Sequence, residues 1–158
     1  MPQPVLIRES SLPADSARLQ CVIREYVAWL GPDLSYRGFD AEMADFDRTY
    51  TLPSGTFFLA ESGTEAAGCA GLLRHGTEVA ELKRVFVRPA FRGHDLGRRL
   101  VEAVIAKARA LGLRRLVLDA VPQTVHAQQL YERMGFEETA PYYDAVLPGT
   151  RFFAMTLR

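Results

Sequence analysis

The sequence predicts a mixed α/β fold in which a central, mostly antiparallel sheet is flanked by helices. Three observations carry that expectation. Three strand-like runs follow one another with only turn-forming residues between them. A strand–helix–strand–helix–strand alternation comes next, and the whole fits 158 residues, a usual size for one domain. Strands joined by tight turns pair antiparallel, whereas the later alternation adds a parallel neighbour and sets helices on the faces. One domain over residues 1–158 is expected.

Val5 to Arg8 is a short apolar strand candidate, and the serines before Pro13 open a helix. Leu19, Val22, Ile23, Tyr26, Val27 and Leu30 then recur at three- and four-residue spacing until Gly31-Pro32 stops them. Between Asp33 and Pro53 the pattern loosens, with one short helix expected around Ala41 to Asp47. Thr56 to Glu61, Ala67 to Leu73 and Val79 to Val87 read as strands of an antiparallel meander, because Ser-Gly-Thr-Glu and His-Gly-Thr-Glu between them form turns. Pro89 ends the third strand. A polar loop from Arg92 to Gly97 leads into a helix that carries Leu96, Leu100, Val104, Ala108 and Leu111 on one face and stops at Gly112. Leu116 to Leu118 is a short buried strand, Thr124 to Met134 a second helix, and Phe136 to Thr139 and Arg151 to Leu157 are closing strands.

Composition excludes several classes. The chain is 48% hydrophobic and 24% charged, so it has the apolar content to fold. Nineteen basic and nineteen acidic side chains balance, so no nucleic-acid partner is expected. Cys21 and Cys69 stand far apart without ligand spacing and read as small core residues in a reducing compartment. No two histidines among His75, His94 and His126 have ligand spacing, so no metal is expected. The first residues lack the pattern of a secretion signal and no apolar run approaches a membrane span, so a cytoplasmic protein with no membrane partner is expected. Oligomeric state stays open, a homodimer included.

The chemistry enters at Val85-Phe86-Val87-Arg88-Pro89-Ala90-Phe91-Arg92-Gly93-His94-Asp95-Leu96-Gly97-Arg98, a strand, a short loop and the start of an amphipathic helix. A helix N-terminus offers unpaired N–H groups and a partial positive charge, so a loop folded over it is an anion site that needs no particular side chain. The dinucleotide fingerprint GxGxxG and the triphosphate loop GxxxxGK[ST] are both absent. Arg92-Gly-His-Asp-Leu-Gly97 instead resembles the signature [QR]-x-x-G-x-[GA] of the GNAT superfamily of acyl-CoA-dependent N-acetyltransferases, except that Asp95 stands where the first glycine belongs. Leu130-Tyr-Glu-Arg-Met-Gly-Phe136 is similar to that family's LYEKxGF segment, in the expected order and at a usual distance. The two motifs together are far more specific than either, and the resemblance covers Val79 to Phe136.

The resemblance implies a GNAT-like fold and acetyl-CoA as co-substrate, with a small-molecule or peptide amine as acceptor. Backbone groups of Val85, Phe86 and Val87 would meet the acetyl carbonyl and the pantetheine arm. The segment Arg92, Gly93, His94, Asp95, Leu96, Gly97 and Arg98 would hold the diphosphate, through amides from Gly93 to Arg98. The strand ending at Val87 should then splay from its parallel neighbour at Leu116 to Leu118, because the pantetheine enters between them. Thr124 stands where many relatives have an asparagine that touches the pantetheine, and it also suits the N-cap of its helix. Asp95 tolerates positive φ and is a favoured N-cap, so its carboxylate is expected to fold back onto the helix amides near Leu96 to Arg98, away from the diphosphate.

Acetyl transfer to an amine needs a neutral nitrogen, a site for the developing negative charge on oxygen, and a proton for the leaving thiolate. The resemblance puts Tyr131 beside the sulfur as general acid. It offers two candidate bases: Glu81, which aligns with the base of histone-acetylating relatives, and Asp119, which ends its strand where protein N-terminal acetyltransferases place a glutamate. Either carboxylate also suits a solvated charge or a partner for Lys83, Arg84 or Arg115. The acceptor pocket should come from the first helices and the loop before the last strand. The early aromatics Tyr26, Trp29, Tyr36 and Phe39 read as core, and only Tyr142 and Tyr143 as pocket walls, because they lie in a polar, proline-flanked loop.

Overall fold

Seven strands pair in the order β1-β2-β3-β4-β5-β7-β6 in the computed structural model, which describes residues 4–31, 38–144 and 146–157. The strands are β1 (Val5–Glu9), β2 (Gly55–Ser62), β3 (Glu65–His75), β4 (Val79–Val87), β5 (Arg115–Ala120), β6 (Glu137–Thr139) and β7 (Arg151–Thr156). Every neighbouring pair is antiparallel except β4 and β5. The expected meander is therefore β2 to β4, and its two turns place Gly63 and Gly76 at positive φ, which costs glycine nothing.

The helices are α1 (Ser16–Leu30), α2 (Phe39–Ala44), α3 (Phe46–Thr49), α4 (Leu96–Ala110) and α5 (Val125–Arg133). The single helix expected over Ala41 to Asp47 is instead two short ones, because the backbone leaves the helical basin at Asp45 (φ −110°, ψ 22°). Gly31, at φ +80°, closes α1 with its N–H on the Val27 carbonyl at 3.2 Å. Pro32 and Tyr36 lie outside the described residues. Among the described residues no helix is long and apolar enough to cross a membrane.

The period-two alternation of the strands divides the interior into two cores. Phe57 and Leu59 of β2 join α1 (Leu19, Val22, Ile23) and α2–α3 (Met43, Phe46) on one face. Ala60 of β2 turns to the other face, with Leu72, Leu82, Leu116 and Leu118, against Leu100, Val101 and Val104 of α4. Each such side chain contributes roughly 1.5–3 kcal/mol on burial, so both helical layers are fixed to the sheet by their apolar stripes. Two strand glycines mark close approaches that matter for the site. A Cβ on Gly71 would lie 2.6 Å from the Phe57 ring, and one on Gly68 would lie 2.5 Å from the Phe86 carbonyl oxygen.

Candidate active site

The parallel pairing of β4 and β5 stops early. Val79, Ala80 and Glu81 register with Arg115, Leu116 and Val117, yet β4 runs on to Val87 and β5 to Ala120. The two strands therefore splay beyond Glu81, as the sequence led us to expect. On its other side β4 stays in register with β3 through Gly68↔Val87 and Cys69↔Phe86. Between Cys69 and Gly71 the register slips, leaving an extra residue in β4, and Arg84 there has φ +55°. Such a bulge bends the strand and re-aims its peptide groups. The buried Cys69 thiol donates to the Arg84 carbonyl at 3.3 Å, and burial pushes that thiol up to about 12, so it remains a neutral donor. The β5-facing edge of Val85 to Val87 is left without a ladder, and backbone groups in such a position require another partner.

A cleft of about 410 Å³ opens along that edge. Ten of the residues predicted to hold the co-substrate line it: Val85, Phe86, Val87, Arg92, Gly93, Asp95, Leu96, Gly97, Arg98 and Thr124. His94, predicted among them, is exposed and does not line it. The structure also corrects the reading of Tyr26 and Trp29 as core, because both line the cleft and Trp29 is 49% exposed. Their rings stand 5.2 Å and 6.3 Å from that of Phe86, and the Arg92 guanidinium lies 5.9 Å from the Trp29 and Phe86 centroids. Phe39 is buried in the core as expected. Gln123, which sequence reasoning missed, donates across the cleft to the Leu30 carbonyl at 2.8 Å and ties the end of α1 to the β5–α5 loop.

At the phosphate end, Gly93 (φ +93°) and Asp95 (φ +59°) turn the chain into α4, and Arg99 N–H to the Asp95 carbonyl at 3.1 Å is the first helical bond. The amides of Leu96, Gly97 and Arg98 precede that bond, and no side chain caps them. The positive φ expected of Asp95 is present, but the expected capping contact is not. Its carboxylate is well exposed and lies 3.6 Å from the Arg98 guanidinium, whose charge competes for it. A turn with successive N–H groups bared at a helix start fits a diphosphate. Thr124 likewise occupies the N-cap position of α5 without capping it, because its buried hydroxyl donates to the Val121 carbonyl at 2.7 Å.

Tyr131 is 6% exposed and faces the cleft from α5. Burial, then the neighbouring Tyr26 and Asp119, raise its phenol well above the ordinary value, so it holds its proton throughout the working range. Asp119 lines the same cleft and accepts from the Tyr143 hydroxyl at 2.7 Å. Glu81, 1% exposed at the last rung of the β4–β5 ladder, accepts from the Tyr142 hydroxyl at 2.7 Å and lies 2.9 Å from His75 Nε2. Glu81 does not line the cleft. Tyr142 and Tyr143 do not line it either: they pack edge-on against Phe152 and reach the two carboxylates with their hydroxyls. The structure thus brings Tyr131 and Asp119 together and sets Glu81 behind them.

A charged cluster beside the cleft escaped the sequence reading. Glu42 accepts from Tyr50 at 2.9 Å and pairs with Arg84 at 3.1 Å and Lys83 at 3.6 Å. Burial pushes the Glu42 carboxyl up, but Lys83 and Arg84 outweigh it and hold it below its ordinary range. Lys83 and Arg84 also line a small pocket of about 50 Å³ that shares Tyr26, Val85, Asp119 and Tyr131 with the main cleft.

Residues 23–136 match the family model described as the acetyltransferase (GNAT) family. A Schizosaccharomyces pombe protein described as an uncharacterized N-acetyltransferase is 33% identical over 159 residues, covering 99% of this chain and 97% of its own. The crystal structure of an acetyltransferase from Streptococcus agalactiae is 26% identical, with a TM-score of 0.77, covering 97% of this chain and 98% of its own. The structure of yncA, an acetyltransferase from Salmonella typhimurium, was obtained with its cofactor acetyl-CoA. It is 23% identical, with a TM-score of 0.73, covering 98% of this chain and 94% of its own.

Proposed function

The chain belongs to the acetyltransferase (GNAT) family, and from that premise we propose that this acyltransferase moves the acetyl group of acetyl-CoA to a primary amine. One observation carries the reading. The unladdered edge of β4, the uncapped start of α4 and the buried hydroxyl of Tyr131 all border a single cleft. When bound, acetyl-CoA supplies an acetyl group activated as a thioester, which the acceptor amine attacks directly with both substrates on the protein.

The chain's own residues have distinct tasks in this account. Amides from Gly93 to Arg98 hold the diphosphate, with Arg92 at the rim. Backbone groups of Val85, Phe86 and Val87 hold the pantetheine arm and the acetyl carbonyl. Tyr131, which burial keeps protonated, gives that proton to the sulfur as the thiolate departs. Asp119 lines the same cleft and takes the proton from the amine. Glu81, linked to His75 at 2.9 Å, is the second carboxylate available to receive it. Tyr142 and Tyr143 form the acceptor-side wall by strapping the loop before β7 to these carboxylates. Thr124 keeps its hydroxyl on its own loop, so the pantetheine contact that relatives make with an asparagine is supplied here by backbone. Cys69 is buried as expected whereas Cys21 is exposed rather than core, and the two free thiols support a cytoplasmic setting.

Incubation of the full chain with acetyl-CoA and a panel of amines, with free thiol as readout, tests the proposal. Amine-dependent thiol release is the expected result. Binding of acetyl-CoA with no release across amino acids, polyamines, aminoglycosides and peptides would overturn transfer and leave an acyl-CoA-binding module.

A further inference from the structure

Successive side chains of a regular strand point to opposite faces, yet Lys83 and Arg84 of β4 both reach Oε1 of Glu42, at 3.6 Å and 3.1 Å. The bulge accounts for this. With Arg84 at φ +55° and an extra residue set against β3, two neighbouring side chains fall on one face. Both are nearly buried, with side chains 6% and 8% exposed, and cations in such a place require charge and hydrogen bonds to answer them. Arg84 gives Nε and Nη2 to Glu42 at 3.4 Å and 3.1 Å, which leaves Nη1 as its open donor among the described residues. The two cations line the pocket of about 50 Å³, which has room for a group of a few heavy atoms. Val85, Asp119 and Tyr131 line both that pocket and the main cleft, so the pocket opens beside the groups assigned to transfer.

We propose that this pocket receives a carboxylate of the acceptor through Lys83 and Arg84, and that the acceptor is an amine with a carboxylate on the neighbouring carbon, an amino acid. The inference rests on the acetyl-transfer reading above. With the amine at Asp119 and Tyr131, the carbon that bears it stands at the mouth of the pocket, and a carboxylate on that carbon enters towards the two cations. Each end of an amino acid then meets the opposite charge: Asp119 for the nitrogen, Lys83 and Arg84 for the acid group. Glu42 and the bound carboxylate share the two cations, and each anion keeps charge-assisted donors. Selection against other amines follows from the same charges. A polyamine would set a second ammonium against Lys83 and Arg84, and a peptide N-terminus, whose first carbonyl belongs to an amide, would bring no charge to the pocket.

Thiol release from acetyl-CoA by the full chain, measured with alanine, leucine and phenylalanine and with the carboxamide of each, tests this. Amidation removes the negative charge at nearly constant shape. It also makes the amine less basic, so a preference for the acid cannot come from a larger fraction of neutral amine. The wild type should favour at least one acid over its amide by about tenfold or more in kcat/KM, the size expected for hydrogen bonds to a charged group. Lys83→Met, which keeps the Arg84–Glu42 pair, should lose most of that preference by raising KM for the acid, with kcat/KM for the amide little changed. The wild-type ratio needs no variant and decides the matter even where Lys83→Met fails to fold. Amides used as well as or better than every acid, or a preference undiminished in Lys83→Met, would overturn the inference and leave acetyl transfer standing. Release with no amine at all would overturn that reading and this inference with it.

Discussion

Two regions of the sheet, one edge and the middle, treat the same backbone chemistry in opposite ways. At the β1–β3 end, β1 registers with β2 over its full length from Val5↔Ser62 to Glu9↔Phe58, and β2 with β3 from Gly55↔Leu73 to Ser62↔Glu65. That end is also closed by charge: Arg8 bonds both Asp15 oxygens at 2.8 Å and Glu61 at 2.6 Å, and Arg18 reaches Glu61 at 2.5 Å. At the β4–β5 junction the ladder ends after Glu81, a bulge turns the strand at Arg84, and the following helix starts uncapped. Strand pairing runs the length of the first region apart from one register shift between Ala60 and Glu61, whereas in the second it stops while both strands continue. Stability and function are therefore expected to separate along the sheet.

The largest effect should come from the open region. If Tyr131 protonates the leaving sulfur as proposed, Tyr131→Phe should lower turnover roughly 10²–10⁴-fold while acetyl-CoA binds nearly as before. Steady-state kinetics beside calorimetry separate the two quantities, and near-normal turnover would remove Tyr131 from the mechanism. Gly68→Ala should blur the comparison, because its Cβ would meet the Phe86 carbonyl at 2.5 Å and Val87 Cα at 3.2 Å. Overpacking of that kind costs roughly 1–3 kcal/mol, read by urea unfolding, and should weaken acetyl-CoA binding as well.

The closed region offers the next effect. Hydrogen bonds from Arg8 hold the buried Asp15 carboxyl at about 2, below its ordinary 3.8. A depressed value stabilises the fold fully above the unfolded value and is lost as pH falls through the folded one. The wild type should lose on the order of 1–2 kcal/mol between about pH 4 and about pH 2, discounted for the partly exposed Arg8, and Asp15→Asn should lack that dependence. Turnover at neutral pH should be unchanged in Asp15→Asn, and a large loss there would break the separation. The smallest effect is expected at Asp95, whose φ of +59° suits glycine and whose carboxylate makes no cap. Asp95→Gly should change acetyl-CoA affinity by less than about tenfold, or ~1.4 kcal/mol. Tightening well beyond that would mean that the native carboxylate repels the diphosphate.

The meander, the α4 loop and the position of Tyr131 in the cleft were legible because each is written locally, in period-two strands, glycine turns and two motifs in fixed order. Tyr26 and Trp29 were read as core because an amphipathic stripe looks the same whether it meets a sheet or the wall of a cleft. The links from Glu42 to Arg84 and from Tyr142 to Glu81 span 42 and 61 residues, and no spacing rule encodes them. Asp95 was half legible. Its residue type favours both positive φ and capping, and only the surrounding charge of Arg98 decides that the first occurs without the second.

Hydrogen–deuterium exchange of the full chain, with and without acetyl-CoA, tests the central claim most directly, since that claim concerns backbone groups. Amides of Val85 to Val87 and Gly93 to Arg98 should gain protection on binding, while those of the β1–β2 ladder stay unchanged. Binding that leaves the first set unprotected, or that protects both regions alike, would contradict it.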